Sequence, residues 1–128
     1  MDAADLEAAQ DRIRSYFDAY LRGDSAVYAE QWVYPACVYS LGRWWAMADP
    51  ETCIAANQEY QREALARGMI GGRLLELSAR AEGRDTVWVD ARFSREGSAG
   101  QVIDEVRAAC LVVRDGPSWR VAVCVLRD

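Results

Sequence analysis

Apolar residues recur along the first twenty positions at the spacing of a helix. Leu6, Ala9, Ile13, Phe17 and Tyr20 lie three or four apart, with Tyr16 on the flank of the stripe. The spacing predicts a helix from about Ala4 to Arg22, capped by Asp2 or Asp5 and ended by Gly23 at the position glycine favours after a helix. Asp24 is an N-cap for a second, short helix with Val27, Tyr28, Ala29 and Trp32 on its apolar side, and Pro35 is expected to stop it. Residues 36–49 are rich in β-branched and aromatic side chains and broken at Leu41-Gly42-Arg43, which predicts a short strand pair or one bent strand. Asp49-Pro50-Glu51 combines a cap, a first-turn proline and a first-turn acid, so a third helix is expected to about Arg67, ended by Gly68, Gly71 and Gly72.

From residue 73 onward the period changes from helical to two. Four strands are predicted at 73–81, 85–95, 101–114 and 118–127, joined by connections short enough to require antiparallel neighbours. In the second of these, Val87, Val89, Ala91 and Phe93 alternate with Trp88, Asp90, Arg92 and Ser94. In the last, Trp119, Val121, Val123 and Val125 alternate with Arg120, Ala122, Cys124 and Leu126. One face has to meet the helices. The other carries Trp88, Val106, Cys124 and Leu126, too apolar for water, and a homodimer through that outer face is expected. The order ααββαββββ excludes an all-parallel sheet. The expected fold class is α+β: three helices packed on a strongly curved, mainly antiparallel sheet around a cone-shaped pocket, in one domain spanning residues 1–128.

Composition narrows the chemistry. The 128 residues are 52% hydrophobic and 27% charged, which suits one globular core and excludes disorder. All fifteen basic residues are arginine. With no histidine and no lysine, a Ser–His–Asp triad, a Cys–His dyad, Schiff-base chemistry and ordinary zinc ligation are excluded within the chain, and no metal or cofactor is expected. The net charge of −5, with arginines scattered, gives no basic face for nucleic acid. No apolar run reaches membrane-spanning length, and the acidic MDAADLEAAQ start lacks the basic and apolar regions of a secretory signal. A soluble cytoplasmic protein is expected, and in a reducing compartment Cys37, Cys53, Cys110 and Cys124 are expected to be small buried hydrophobes.

The element order, with IRSYFDAYLRGD opening and VVRDGPSWRVAV near the end, resembles the nuclear transport factor 2-like superfamily, SnoaL-like branch. The first motif is similar to the family's first helix with its glycine–aspartate exit, and the second to its terminal hairpin. The resemblance implies a cone fold shared by ketosteroid isomerases, scytalone dehydratases, polyketide cyclases and non-catalytic transport and association domains, so fold alone does not decide function. Carried over from the isomerases, Tyr16 falls on the oxyanion-stabilising tyrosine. Ser40 stands at or near the place of the catalytic aspartate, and Ala109 near that of the second oxyanion acid. A steroid isomerase of the known type is therefore not expected. In the kinase association domains an arginine occupies the pocket near this Ala109, and Arg107 is the closest arginine here.

The same comparison places Ile103, Glu105, Arg107, Ala109, Leu111 and Val113 on the pocket face. On that placement Tyr16 donates to a ligand oxyanion and Arg107 neutralises it, with Tyr39, Ser40, Trp45, Tyr60, Glu105 and Ala109 lining the ligand. The alternatives are that Tyr16 packs in the core and that Glu105 and Arg107 are a solvated pair. Trp44 and Trp45, adjacent on a strand, must point to opposite faces. Two functions follow: a pocket for a hydrophobic small molecule bearing an oxyanion, with lyase, isomerase or cyclase activity, or a non-catalytic homodimeric adaptor whose cone is filled by its own side chains.

Overall fold

The computed structural model describes residues 1–127, so only Asp128 of the expected domain lies outside the described residues. Helix α1 runs Ala3–Leu21, α2 Ser25–Glu30 and α3 Pro50–Ala66; strands β1 to β6 run Trp32–Ser40, Arg43–Met47, Gly71–Ala81, Thr86–Glu96, Val102–Asp115 and Ser118–Arg127. The helix ends follow the chemistry at their caps. Asp2 and Asp5 form a reciprocal capping box on α1, as do Asp49 and Thr52 on α3, and Asp24 accepts from Val27 N at 3.1 Å on α2. After α1 the chain turns at Gly23 with φ of 68°, a conformation glycine adopts without steric cost.

The six strands form one sheet in the order β2-β1-β6-β5-β4-β3. Every neighbouring pair is antiparallel except β1 with β6, which is parallel. Pro35 does not stop the second helix as expected. The helix ends at Glu30, and Pro35 lies within β1, where the pairing with β6 loses register between Trp32 and Cys37. Proline has no N–H to give a ladder, so a site of broken register is where an interior strand can hold it.

Residues directly opposite on paired strands share a face, and the inner face can be followed row by row. One row is Ala79–Val89–Cys110–Cys124–Val38–Trp45; the neighbouring rows hold Ala81–Val87–Val112–Val121 and Leu77–Ala91–Ala108–Leu126. Helix α1 crosses this face, touching β3, β4, β5 and β6, while α3 packs on α2 and β2. Phe17 meets Phe93 with ring centroids 4.3 Å apart, and Tyr20 lies against both Phe93 and Tyr60. Cys110 and Cys124 are not separate thiols: they are directly opposite on β5 and β6, 4.2 Å apart at Cα, and joined as a disulfide.

The core contact between α1 and β4 gives a direct expectation. Replacing Phe17 by Ala opens a cavity against Phe93 and Tyr20, and should cost about 3–5 kcal/mol in chemical denaturation. A loss under about 1 kcal/mol would mean that α1 is not seated on the sheet as described.

Candidate functional site

The inner face leaves little free space. Between α2, α3 and the β1–β2 hairpin, Tyr28, Ser40, Trp45, Met47, Asn57 and Tyr60 surround about 20 Å³. That is about the room of one water molecule, far below the several hundred Å³ of a small-molecule site. Three expected residues come together here. Ser40 is buried at the end of β1, Tyr60 projects from α3, and Trp45 closes the space from β2. Trp45 is fixed on two sides: its Nε1 donates to the Ser40 carbonyl at 2.9 Å, and the Arg43 guanidinium lies 3.6 Å from its ring centroid. Arg43 also faces Glu59 at 3.6 Å. Trp44, as alternation requires, points the other way and is 59% exposed.

Tyr16 packs in the core beside this space rather than lining it. Its ring sits 5.2 Å from that of Tyr28 and 5.8 Å from that of Trp32, and its hydroxyl shares a hydrogen bond with Tyr28. Four other expected residues stand on the outside of the sheet. Tyr39 pairs across the ladder with Trp44, its ring edge-on at 5.1 Å, and Glu105, Arg107 and Ala109 point away from the helices. The expected face of β5 is thus inverted. Val106, Ala108, Cys110 and Val112 are the buried set, because they stand directly opposite the inward residues Phe93, Ala91, Val89 and Val87 of β4. On β6 the irregularity in its pairing with β5 moves the inward positions from Trp119 and Val121 to Cys124 and Leu126. Glu105 pairs with Arg92 rather than Arg107.

The ionised group that does reach the interior lies outside those expectations. Arg95, 2% exposed, continues the inward series Val87, Val89, Ala91, Phe93 by one more step of two. Its guanidinium holds Asp104 with both arms, Nε to Oδ1 at 2.8 Å and Nη2 to Oδ2 at 2.7 Å, and donates to the Tyr60 hydroxyl at 3.1 Å. Arg67 reaches Asp104 from the end of α3. Continuing the β4 alternation by one step finds Arg95; its place beside an expected loop conceals it.

The electrostatics of this interior suit structure better than proton transfer. Hydrogen bonding to Arg95 holds the Asp104 carboxyl below its ordinary range. Burial would lower the Arg95 pKa, but hydrogen bonding to Asp104 and the neighbouring tyrosines raise it overall. Burial and the Tyr16 neighbour push Tyr28 well above the usual phenol range, and burial pushes the Cys53 thiol up to about 11. A phenol or thiol so raised stays protonated at neutral pH, and an acid locked by a guanidinium is a poor base. Two neutral groups are left partly unsatisfied: Asn57 Nδ2 donates to Ser25 Oγ at 3.0 Å, while the buried Asn57 Oδ1 and the buried Trp32 Nε1 have no hydrogen-bond partner among the described residues. Among those residues no group of three or more side chains of the metal-ligating types is assembled, and no helix is long and apolar enough to cross a membrane.

Asp104→Asn should cost about 3–5 kcal/mol near neutral pH, because it leaves a buried guanidinium without its counter-charge. The Asp104 pKa is depressed in the folded state, so its stabilisation is present above the unfolded value near 4 and is lost as pH falls through the folded value. Urea denaturation across that range should show the gap between wild type and Asp104→Asn narrowing with acid. A gap independent of pH would show that the ion pair is not its source.

No curated protein matches the sequence of this chain. Among solved structures, an NTF2-like protein with a cystatin-like fold from Novosphingobium aromaticivorans aligns with TM-score 0.74 and 18% identity, covering 94% of this chain and 79% of that one. Aln2 from a Streptomyces species aligns with TM-score 0.79 and 13% identity over 99% and 92% of the two chains. A ketosteroid isomerase-like protein from Erwinia carotovora atroseptica gives 0.71 and 12% over 98% and 96%. At these identities the likeness is one of fold. The family model described as NTF2-like protein (DUF6841) matches residues 5–128, and the chain belongs to that family.

Proposed function

We propose that this chain is a non-catalytic association domain that self-pairs through the outer face of its sheet, its cone filled by its own side chains. The observation that carries the reading is the interior space of about 20 Å³, walled by Tyr28, Trp45 and Tyr60. The hydrophobic ligand expected for such a cone does not enter it without displacing Trp45. The residues expected to grip its oxyanion are elsewhere, Tyr16 in the core and Arg107 outside. The groups that do face inward hold their protons too tightly, or are held too firmly by a counter-charge, to serve as a base at neutral pH.

The outer face supports the second half of the proposal. Two adjacent cross-strand rows make it largely apolar, Trp88–Leu111–Val123–Cys37 from β4 to β1 and Ala109–Val125–Tyr39–Trp44 from β5 to β2, the second ending at Asp90 on β4. A patch of this kind on a lone domain marks an interface. A second copy is the occupant that requires nothing but this chain, and two-fold pairing of one face with itself is the commonest oligomer of soluble proteins.

Sedimentation velocity at micromolar concentration is expected to give a dimer. Val125→Glu should weaken it at least about 30-fold without unfolding the chain, since the side chain stands outside the core. A wild-type monomer would remove the reading. A second reading rests on Asn57, whose unpartnered Oδ1 faces the small space and would accept from an O–H or N–H of a ligand of a few atoms. Thermal-shift screening with small alcohols, amides and phenols tests it. Stabilisation lost in Asn57→Leu favours a ligand, and no stabilisation of the wild type removes it.

A further inference from the structure

The outer face changes character along its strands. Next to the two apolar rows lies a third, Glu76–Arg92–Arg107–Arg127, running across β3, β4, β5 and β6. Three arginines therefore stand directly opposite one another on three adjacent strands. Side chains in that relation start about 4.5–5.5 Å apart, and like charges there repel. Arg92 is neutralised by Glu76, at 3.0 Å, and by Glu105. Arg107 and Arg127 are exposed, and neither makes an ion pair with another described residue. Glu76, at the far end of the row, is already taken: Arg92 first, and Arg107 after it, hold its carboxyl below the ordinary range.

These arginines do not stand on a flat surface. The β3–β4 pairing skips Leu75, shifting register between Leu74 and Glu76, and β3 bends there. Arg92, Arg107 and Arg127 open onto a groove of about 540 Å³, bordered also by Leu75, Ser78, Ala109 and two acids, Glu76 and Asp90, each already paired with another arginine, Arg92 and Arg80. That volume lies within the range of small-molecule sites. A guanidinium offers paired N–H donors in a rigid fork matched to two oxygens of one anion. A chain of net charge −5 that nonetheless aligns two uncompensated forks beside an apolar wall presents the combination an amphipathic anion requires.

We propose that this row is an oxyanion site, in which Arg107 and Arg127 hold one carboxylate or phosphate group between them while the apolar part of a small organic molecule rests on Leu75. The site is outside the cone, and it does not depend on the self-association reading, because its test is read on the arginine side chains whatever the oligomeric state.

The test is an NMR titration of the full chain, followed at the arginine Nε–H groups, with inorganic phosphate, with benzoate, and with chloride at matched ionic strength. Saturable shifts at Arg107 and Arg127 with phosphate or benzoate, and none with chloride, are expected. Arg107→Gln or Arg127→Gln should weaken binding at least about 10-fold, whereas Arg84→Gln, in the exposed β3–β4 turn, should not. Stronger binding of phosphate identifies a phosphorylated ligand; stronger binding of benzoate identifies a carboxylate with an apolar body. Equal shifts with chloride, or an affinity unchanged in both glutamine variants, would mean an adventitious ion only. Thermal melts give a second reading: Arg127→Gln should melt higher than wild type in chloride, and the difference should close in saturating phosphate or benzoate. A variant no more stable than wild type in chloride would remove the repulsion from which the site is inferred.

Discussion

Helix α1 lies across the sheet, and whatever side chain each strand turns toward it has to be apolar or fully partnered. Phe17 against Phe93 is the centre of that contact, with Tyr16 and Tyr20 extending it toward Tyr28, Trp32 and Tyr60. Once Phe93 faces the helix, the pleat commits Ala91, Val89 and Val87 in one direction and Arg95 in the other. Cross-strand pairing passes the same commitment to β3, β5 and β6. An arginine thus enters the interior because the ladder leaves its side chain no other direction, and Asp104, directly opposite on β5, makes that tolerable.

The same constraint explains which parts of the molecule are legible in residue types. Helices announced by local chemistry, such as Asp49-Pro50 before α3, are recovered within a residue or two. The β4 alternation identifies its buried face, and the adjacency of Trp44 and Trp45 places them on opposite sides. What fails is parity across strands. The continuous apolar run Ala108–Val113 of β5 offers two plausible faces, and only its register against β4, which residue types alone do not reveal, selects between them. With the face inverted, Glu105, Arg107 and Ala109 are assigned to a pocket they do not enter, and Arg95 with Asp104 goes unrecognised. Pro35 misleads for another reason: as a local signal it stops helices, but pairing of β1 with β6 claims the segment from Trp32 onward.

The two faces divide the chemistry in a way composition does not foretell. Inward, aromatic rings and one locked ion pair fill the volume that the fold makes available for a ligand. Outward, the side chains are ordered in bands, apolar over β2 to β4 at one level of the strands and guanidinium-rich at the next. Self-association and anion binding are accordingly proposed on the sheet's exterior rather than in its hollow, and three of the fifteen arginines, Arg92, Arg107 and Arg127, stand where that exterior changes from one band to the other.

The register shift in β6 has a consequence for how the chain can change length. Between Val121 and Val123 the strand carries a residue, Ala122, with no registered partner on β5. Deleting it would restore an unbroken ladder and leave the same residues buried, because Val121 and Cys124, now three positions apart, would stand two apart and share one face by simple alternation. The extra residue therefore shapes the local twist of the hairpin rather than deciding which side chains are buried, so loss of this one position is a length change the sheet can absorb.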